Sequence, residues 1–252
     1  MYLRSFKILH DEKVQNHNKY PFSIPSLRGT DSIELKNAVT FFVGENGSGK
    51  STLLEAISYQ CGFNNAGGGR NDNYSVDSAM SDLGNYIRLS WLPKINKGFF
   101  LRAESFYHFA SYLDELAKED PTFSYERYGG KSLHHQSHGE SFLSLFTNRF
   151  GEKGIYLLDE PEAALSPARQ LAFLKIINDL VSKGEAQFII ATHSPILLGY
   201  PEAQILNFDD SSIQDISYED TEHYNLTLNF LTGRERFLYE LFRSDVEDDI
   251  DS

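Results

Sequence analysis

Residues 44–51 read Gly-Glu-Asn-Gly-Ser-Gly-Lys-Ser, and their spacing, Gly-x4-Gly-Lys-Ser, is that of a loop that wraps phosphate groups. Gly44, Gly47 and Gly49 let backbone N–H groups turn inward where a side chain would block the approach, with Glu45, Asn46 and Ser48 completing the cradle. A helix starting near Lys50 adds its positive N-terminal end. Lys50 is placed to reach the β- and γ-phosphates, Ser51 to ligate Mg²⁺ through its hydroxyl, and Thr52 to bond the α-phosphate region. The ligand this chemistry fits is a nucleoside triphosphate, ATP, held with Mg²⁺.

A second group of acids follows later in the chain. Ile155-Tyr156-Leu157-Leu158 is an apolar run that ends in Asp159-Glu160. An acid at the end of such a strand emerges beside a phosphate loop, where Asp159 can hold Mg²⁺ directly or through water. Glu160, one residue on, is aimed at the γ-phosphate and can polarise an attacking water as a general base.

These residues need a scaffold, and its elements are legible. Residues 1–10 read as an edge strand and Ile33 to Leu35 as another. Ala38 to Val43 is a continuous apolar run and so a buried strand. A helix from Lys50 to about Gln60 should bury Leu53, Leu54, Ala56 and Ile57. Residues 62–85 are polar, carry Gly67-Gly68-Gly69, and read as a flexible loop. Tyr86 to Leu92 and Gly98 to Arg102 read as strands, and Phe106 to Lys118 as an amphipathic helix. After the strand 155–158, a helix runs from Pro167 to Val181, with proline in its first turn. Gln187 to Ala191 and Gln204 to Phe208 are further buried strands, and the chain from His223 is helical. Apolar strands alternating with helices imply an α/β fold, with a mainly parallel sheet covered on both faces.

Composition sets the class. The chain has 252 residues, 40% hydrophobic and 23% charged, as in ordinary globular proteins. No apolar stretch approaches the ~18–20 residues of a membrane span, and no signal-peptide pattern opens the chain. Cys61 is the single cysteine, so no intrachain disulfide forms. The expected location is cytoplasmic, without membrane insertion. The net charge is −13, and Asp245, Glu247, Asp248, Asp249 and Asp251 concentrate part of it in a tail expected to be solvated. An acidic body disfavours sequence-blind nucleic-acid binding but leaves room for a local basic patch.

Three further pieces occur in a fixed order: Gln136-Ser137-His138-Gly139-Glu140, then Asp159-Glu160-Pro161-Glu162-Ala163-Ala164-Leu165-Ser166-Pro167, then Ala191-Thr192-His193-Ser194-Pro195. With the phosphate loop (Walker A) and the acid pair (Walker B), this set resembles the ABC-class P-loop ATPases. Within them it is most similar to the soluble branch with SMC, RecF and OLD heads, and to compact bacterial AAA family ATPases without a coiled-coil insertion. The resemblance spans residues 1–210.

It implies one ABC-type domain over 1–252: a nucleotide-binding core over 1–100 and 151–210, a short helical signature subdomain over about 101–150, a C-terminal helix over about 223–244 and the acidic tail 245–252. It also implies a small antiparallel β part near the N-terminus. Ser137, Gly139 and Glu140 match the signature, a second anion site that in the family faces the γ-phosphate on the other subunit, so that two ATP molecules are sandwiched in a head-to-tail homodimer. His193 matches the switch histidine, while Leu165 and Ser166 occupy the loop that crosses the dimer interface. Glu160, His193 and Lys50 are then the catalytic set.

The sequence departs from the pattern in places. Ser166 stands where many relatives have an acid, and His138 where many have glycine. No glutamine follows the strand Gly98–Arg102. Glu104 is the nearest candidate for that metal-side role, and Gln60 lies on the phosphate-loop helix. Tyr20 and Phe22 are both candidates for stacking on adenine. His134 and His138 have a metal-ligand spacing but no matching Cys or acid cluster, and read as a polar loop. Phe99, Phe100, Phe106, Tyr107 and Phe109 read as core rather than a base-stacking set. Arg102, Arg127 and Arg149 read as solvated surface arginines.

Two functions fit these residues: an ATPase whose hydrolysis opens and closes a homodimer, or an ATP-dependent binding switch or clamp, associated with DNA or protein, with little intrinsic turnover. A small-molecule kinase would share the phosphate loop but leaves Ser137–Glu140 and His193 unexplained. A transport subunit would need a coupling surface that is not legible between Leu101 and Phe150.

Overall fold

The computed structural model describes residues 1–10, 19–64, 68–69, 82–135, 138–149 and 153–243. The expected acidic tail, the middle of the glycine-rich loop, Gln136 and Ser137 lie outside the described residues.

The strands are β1 (Leu3–Ile8), β2 (Ser32–Glu34), β3 (Val39–Val43), β4 (Ile87–Trp91), β5 (Gly98–Arg102), β6 (Gly154–Asp159), β7 (Ala186–Ala191), β8 (Gln204–Asn207) and β9 (Gln214–Asp215). The helices are α1 (Pro25–Arg28), α2 (Lys50–Cys61), α3 (Phe106–Glu119), α4 (His138–Arg149), α5 (Pro167–Ser182), α6 (Pro195–Leu198), α7 (Glu222–Thr232) and α8 (Arg234–Phe242).

Among the described residues the strands form two sheets. The larger has the order β5-β6-β7-β3-β8-β9, parallel until β9 joins β8 antiparallel. The smaller, β2-β1-β4, is antiparallel and is the expected β part near the N-terminus. β6 and β7 are buried along their whole lengths, as strands of a sheet covered on both faces must be.

The two-residue period of a strand divides the core into two layers. Val39, Phe41 and Val43 of β3 face a layer shared with α3, α4 and α5, and Phe42 faces the layer holding α2 and β1. Leu53, Leu54, Ala56 and Ile57 of α2 are buried as expected.

Two glutamines join the sheets. The buried side chain of Gln187 in β7 accepts from the N–H groups of Tyr2 and Leu3, each at 2.8 Å, and donates to Leu3 O at 2.8 Å. Gln204 of β8 accepts from Lys36 N at 3.0 Å and donates to Glu34 O at 3.1 Å. The three backbone groups that the Gln187 amide meets are thus paired around a fully buried side chain.

Several expectations change. Phe99, Phe100, Phe106 and Phe109 are buried, but Tyr107 is 60% exposed, on the outer face of α3 against the His134 ring. The polar segment after α2 is not all loose loop: Gly68 pairs with Phe100 as an isolated bridge, and residues 82–86 form a 3₁₀ turn. The single C-terminal helix is two, α7 and α8, broken at Gly233.

Candidate functional site

The loop between β3 and α2 owes its shape to glycine at particular points. Gly44, Gly47 and Gly49 have φ of 139°, 83° and 107°, in the region that favours glycine. A Cβ on Gly44 would lie 2.8 Å from Asp209 Oδ1, and one on Gly49 would lie 3.1 Å from Ile24 Cγ2. The loop is pinned from outside: Asp209 Oδ1 accepts from Glu45 N at 2.6 Å, and Ser26 Oγ donates to Ser48 O at 2.6 Å. Ser48 Oγ is buried with no hydrogen-bond partner among the described residues. Asn46 lies between these two anchors at the exposed crest of the loop.

Lys50 is the first residue of α2, and its buried ammonium donates to Gly44 O at 2.6 Å and Glu45 O at 2.8 Å. Burial pushes its pKa down, while Glu160, Asp209, Asp159 and Glu45 pull against that shift. Ser51 Oγ donates to Asp159 Oδ1 at 2.9 Å, so the phosphate-loop hydroxyl and the acid at the end of β6 meet as the sequence suggests. Thr52 shares a 3.0 Å hydrogen bond with the half-exposed Tyr20 hydroxyl. That separates the two adenine candidates. Tyr20 lies at the phosphate loop, whereas Phe22 packs edge-on against Tyr86.

Arg102 corrects the sequence reading. It is not a solvated surface arginine: its side chain is only 16% exposed. It donates to Asp159 Oδ2 at 3.1 Å, is ion-paired with Glu55 of α2, and lies 3.3 Å from Glu104 Oε1. Burial drives the carboxyls of Asp159 and Glu55 upward, and the guanidinium between them counters it. Arg149 is not simply solvated either; its guanidinium stands 5.2 Å over both the Phe99 and Tyr128 rings and bonds Tyr128 OH. The Arg127 side chain lies outside the described residues.

Ser51, Arg102, Ala103, Glu104, Asp159, Glu160, Ala163 and Ala164 line a cavity of about 330 Å³. Glu104 reaches it only at the rim, with an exposed side chain turned to Arg102. Glu160 has φ 51° and ψ 51°, a left-handed backbone that costs a non-glycine residue on the order of 1 kcal/mol. Its N–H bonds Ala191 O at 2.9 Å, tying the turn to the end of β7. From there Oε1 comes within 3.7 Å of His193 Nε2.

His193 follows β7. Its N–H donates to Glu162 Oε1 at 2.6 Å, and its Nδ1 lies 2.8 Å from Nε2 of His223. Burial and the nearby Lys50 hold both imidazoles below their usual pKa, which favours their neutral forms. His223 was not singled out by its sequence; it lies 30 residues beyond its partner with no spacing to mark it.

Gly139 and Glu140 lie in the first turn of α4 and do not line the cavity. Arg169 of α5 crosses Gly139: a Cβ there would lie 2.2 Å from Nη1. Glu140 Oε1 is 3.9 Å from the same guanidinium. His134 bonds Ser111 at 3.0 Å, and the side chain of His138 lies outside the described residues. Among the described residues no three His, Cys, Asp or Glu side chains are grouped to hold a metal by themselves. The Ser51–Asp159 oxygens nevertheless suit Mg²⁺, which in phosphate sites takes one or two protein oxygens and fills its shell from phosphate and water.

The chain is similar to several known proteins in sequence or fold. Residues 13–120 match a family model described as "AAA domain", and residues 75–199 one described as "AAA domain, putative AbiEii toxin, Type IV TA system". Protein ea59 of Escherichia phage lambda is 38% identical over 98 residues, covering 37% of this chain and 18% of that protein, so the chain spans only a small part of that relative. The fold is similar to that of an ATP-binding subunit of an ABC transporter, with a TM-score of 0.51 and 16% identity over 96% of this chain and 100% of the other. No helix among the described residues is long and apolar enough to cross a membrane.

Proposed function

We propose that this chain, which matches AAA-domain models over residues 13–120 and 75–199 and shares its fold with an ATP-binding subunit of an ABC transporter, is an ABC-class P-loop ATPase that binds ATP with Mg²⁺ and hydrolyses it, opening and closing a head-to-tail homodimer as it does so. The observation that carries the reading is the convergence of Lys50, Ser51, Asp159, Glu160 and His193, from three separate segments, around one cavity and the phosphate loop.

The roles follow from the geometry. The N–H groups of residues 44–49 and the N-terminus of α2 receive the phosphates, and the buried Lys50 ammonium exchanges its two carbonyl partners for phosphate oxygens. Ser51 and Asp159 would hold Mg²⁺, which when bound neutralises developing charge on the phosphates. The Glu160 carboxylate takes a proton from the attacking water. His193 offers an imidazole beside it, and its buried Nε2, without a hydrogen-bond partner among the described residues, has its hydrogen bond to give. In the dimer, Ser137, Gly139 and Glu140 of one copy face the nucleotide of the other. That assignment is supported by the place of Gly139 and Glu140 in the first turn of α4, a twelve-residue helix.

The test is single-turnover ATP hydrolysis by the wild type and Glu160→Gln. Loss of turnover with retained MgATP binding is expected, and equal rates would remove Glu160 from its role. Sedimentation of Glu160→Gln with MgATP should show a dimer; a strict monomer at saturation counts against the assembly.

A second reading has its own observation. Asp159 Oδ2 is already held by Arg102, a cation of the chain itself. That favours an ATP-dependent switch with little turnover until a protein or DNA partner shifts Arg102. Hydrolysis that stays negligible alone but rises with such a partner would select it.

A further inference from the structure

His193 is set by more than the loop that follows β7. Its Nδ1 lies 2.8 Å from Nε2 of His223, and the two rings stand 5.0 Å apart at 51°. His223 is on α7, and the start of α7 is fixed to the segment that carries His193. Thr221 caps the helix, accepting from Tyr224 N at 3.4 Å, and its own hydroxyl donates to Tyr218 O at 2.7 Å. The Tyr218 hydroxyl in turn donates to Pro195 O at 2.9 Å, two residues past His193. The two imidazoles are therefore held by one frame.

One proton lies between Nδ1 of His193 and Nε2 of His223, and its owner decides what His193 can do. A neutral imidazole has one N–H. If His223 Nε2 donates, Nδ1 of His193 accepts and Nε2 of His193 carries the hydrogen. If His193 Nδ1 donates, its Nε2 is a bare lone pair. That Nε2 is 3.7 Å from the Glu160 carboxylate, where an N–H is attracted and a lone pair repelled. Glu160 thus selects the first arrangement. A phosphate oxygen, which only accepts, needs the same one.

We propose that His223 is a positioning residue: through its Nε2–H it fixes His193 as the Nε2–H tautomer, aimed at Glu160 and the phosphate site. The assignment rests on the ATPase reading for its purpose but not for its geometry. It makes α7 part of the site, so that the N-terminus of the C-terminal helical pair determines the hydrogen-bonding state of a residue at the phosphate loop.

Two measurements test it separately. In the protein labelled with ¹⁵N-histidine, the His193 resonances, assigned with His193→Gln, should show Nε2 protonated and Nδ1 bare. His223→Leu, which fills the space without a donor, should mix the tautomers. His223→Gln, whose amide N–H reaches the same place, should restore the single form. A wild-type Nδ1–H form, or a tautomer unchanged in His223→Leu, overturns the proposal. In single-turnover hydrolysis, His223→Leu should be slower by on the order of tenfold at unchanged MgATP affinity, with recovery in His223→Gln. Equal rates for His223→Leu and wild type likewise overturn it. If the wild type does not hydrolyse ATP, the ATPase reading fails, while the resonances still decide the role of His223.

Discussion

Ser51 Oγ donates to Asp159 Oδ1 across 2.9 Å and 108 positions of sequence, so the two groups that would hold Mg²⁺ already touch. Each lies at the end of an element that packs in the core: Asp159 ends β6, and Ser51 is the second residue of α2.

Metal dependence follows from that contact. If Ser51 and Asp159 hold Mg²⁺ and the ion offsets the charge of the phosphates, removing it with EDTA should weaken ATP binding by about tenfold or more. Asp159→Asn should bind ATP with the affinity the wild type shows in EDTA and respond little to added Mg²⁺. Equilibrium titration with a fluorescent nucleotide reads both. A variant with full Mg²⁺ response removes Asp159 from the metal site.

Arg102 gives a prediction about stability and pH. It sits between Asp159 and Glu55, all three side chains at most 16% exposed. Arg102→Met leaves two buried carboxylates without their cation, which costs on the order of 3 kcal/mol. Burial already raises both carboxyl pKa values, and loss of the guanidinium raises them further. A carboxyl raised in the folded state contributes stability below its unfolded pKa and loses it as pH rises through the folded value. The gap between variant and wild type should therefore be small near pH 4 and widen toward neutrality. Urea midpoints across that range measure it, and a constant gap excludes charge as the cause.

Much of this was legible in the residue order because local patterns carried it. The continuous apolar runs marked β3, β6 and β7, and glycine before lysine marked the start of α2. Arg102 and His223 were not legible. The partners of Arg102 lie 47 and 57 residues away and meet it through the packing of β5, β6 and α2, whereas that of His223 lies 30 away and meets it through the contact of Tyr218 with Pro195. Tyr107 misled because its neighbours Phe106 and Phe109 do belong to the core; one helical step places it on the opposite face. The break at Gly233 follows from a residue with poor helix propensity inside the helix expected over 223–244.

The loop glycines differ in what they resist. Gly49→Ala meets both a left-handed φ of 107° and Leu27 Cγ at 3.2 Å, next to Ile24. Gly47→Ala meets a φ of 83° but no atom within 4 Å. Each pays a backbone cost of roughly 1 kcal/mol, and Gly49→Ala adds a steric one that must move α1 or the loop. Thermal unfolding should therefore rank Gly49→Ala below Gly47→Ala. ATP affinity should fall in the same order, and the reverse order would refute the local account.

Gly139 separates folding from assembly. It lies in the first turn of α4, where alanine is the better helix former by up to about 1 kcal/mol. An added Cβ meets Arg169 Nη1 at 2.2 Å, the far end of a side chain that can swing aside. Gly139→Ala should therefore melt within a few degrees of the wild type. It should also bind MgATP as a monomer with unchanged affinity, because Gly139 lies outside the cavity of its own chain. If a second copy presents Gly139 to that nucleotide, the methyl group and the displaced Arg169 stand in the way. ATP-dependent sedimentation as a dimer should then be lost in the Glu160→Gln background. A double variant that still dimerises removes Gly139 from the interface, whatever its effect on turnover.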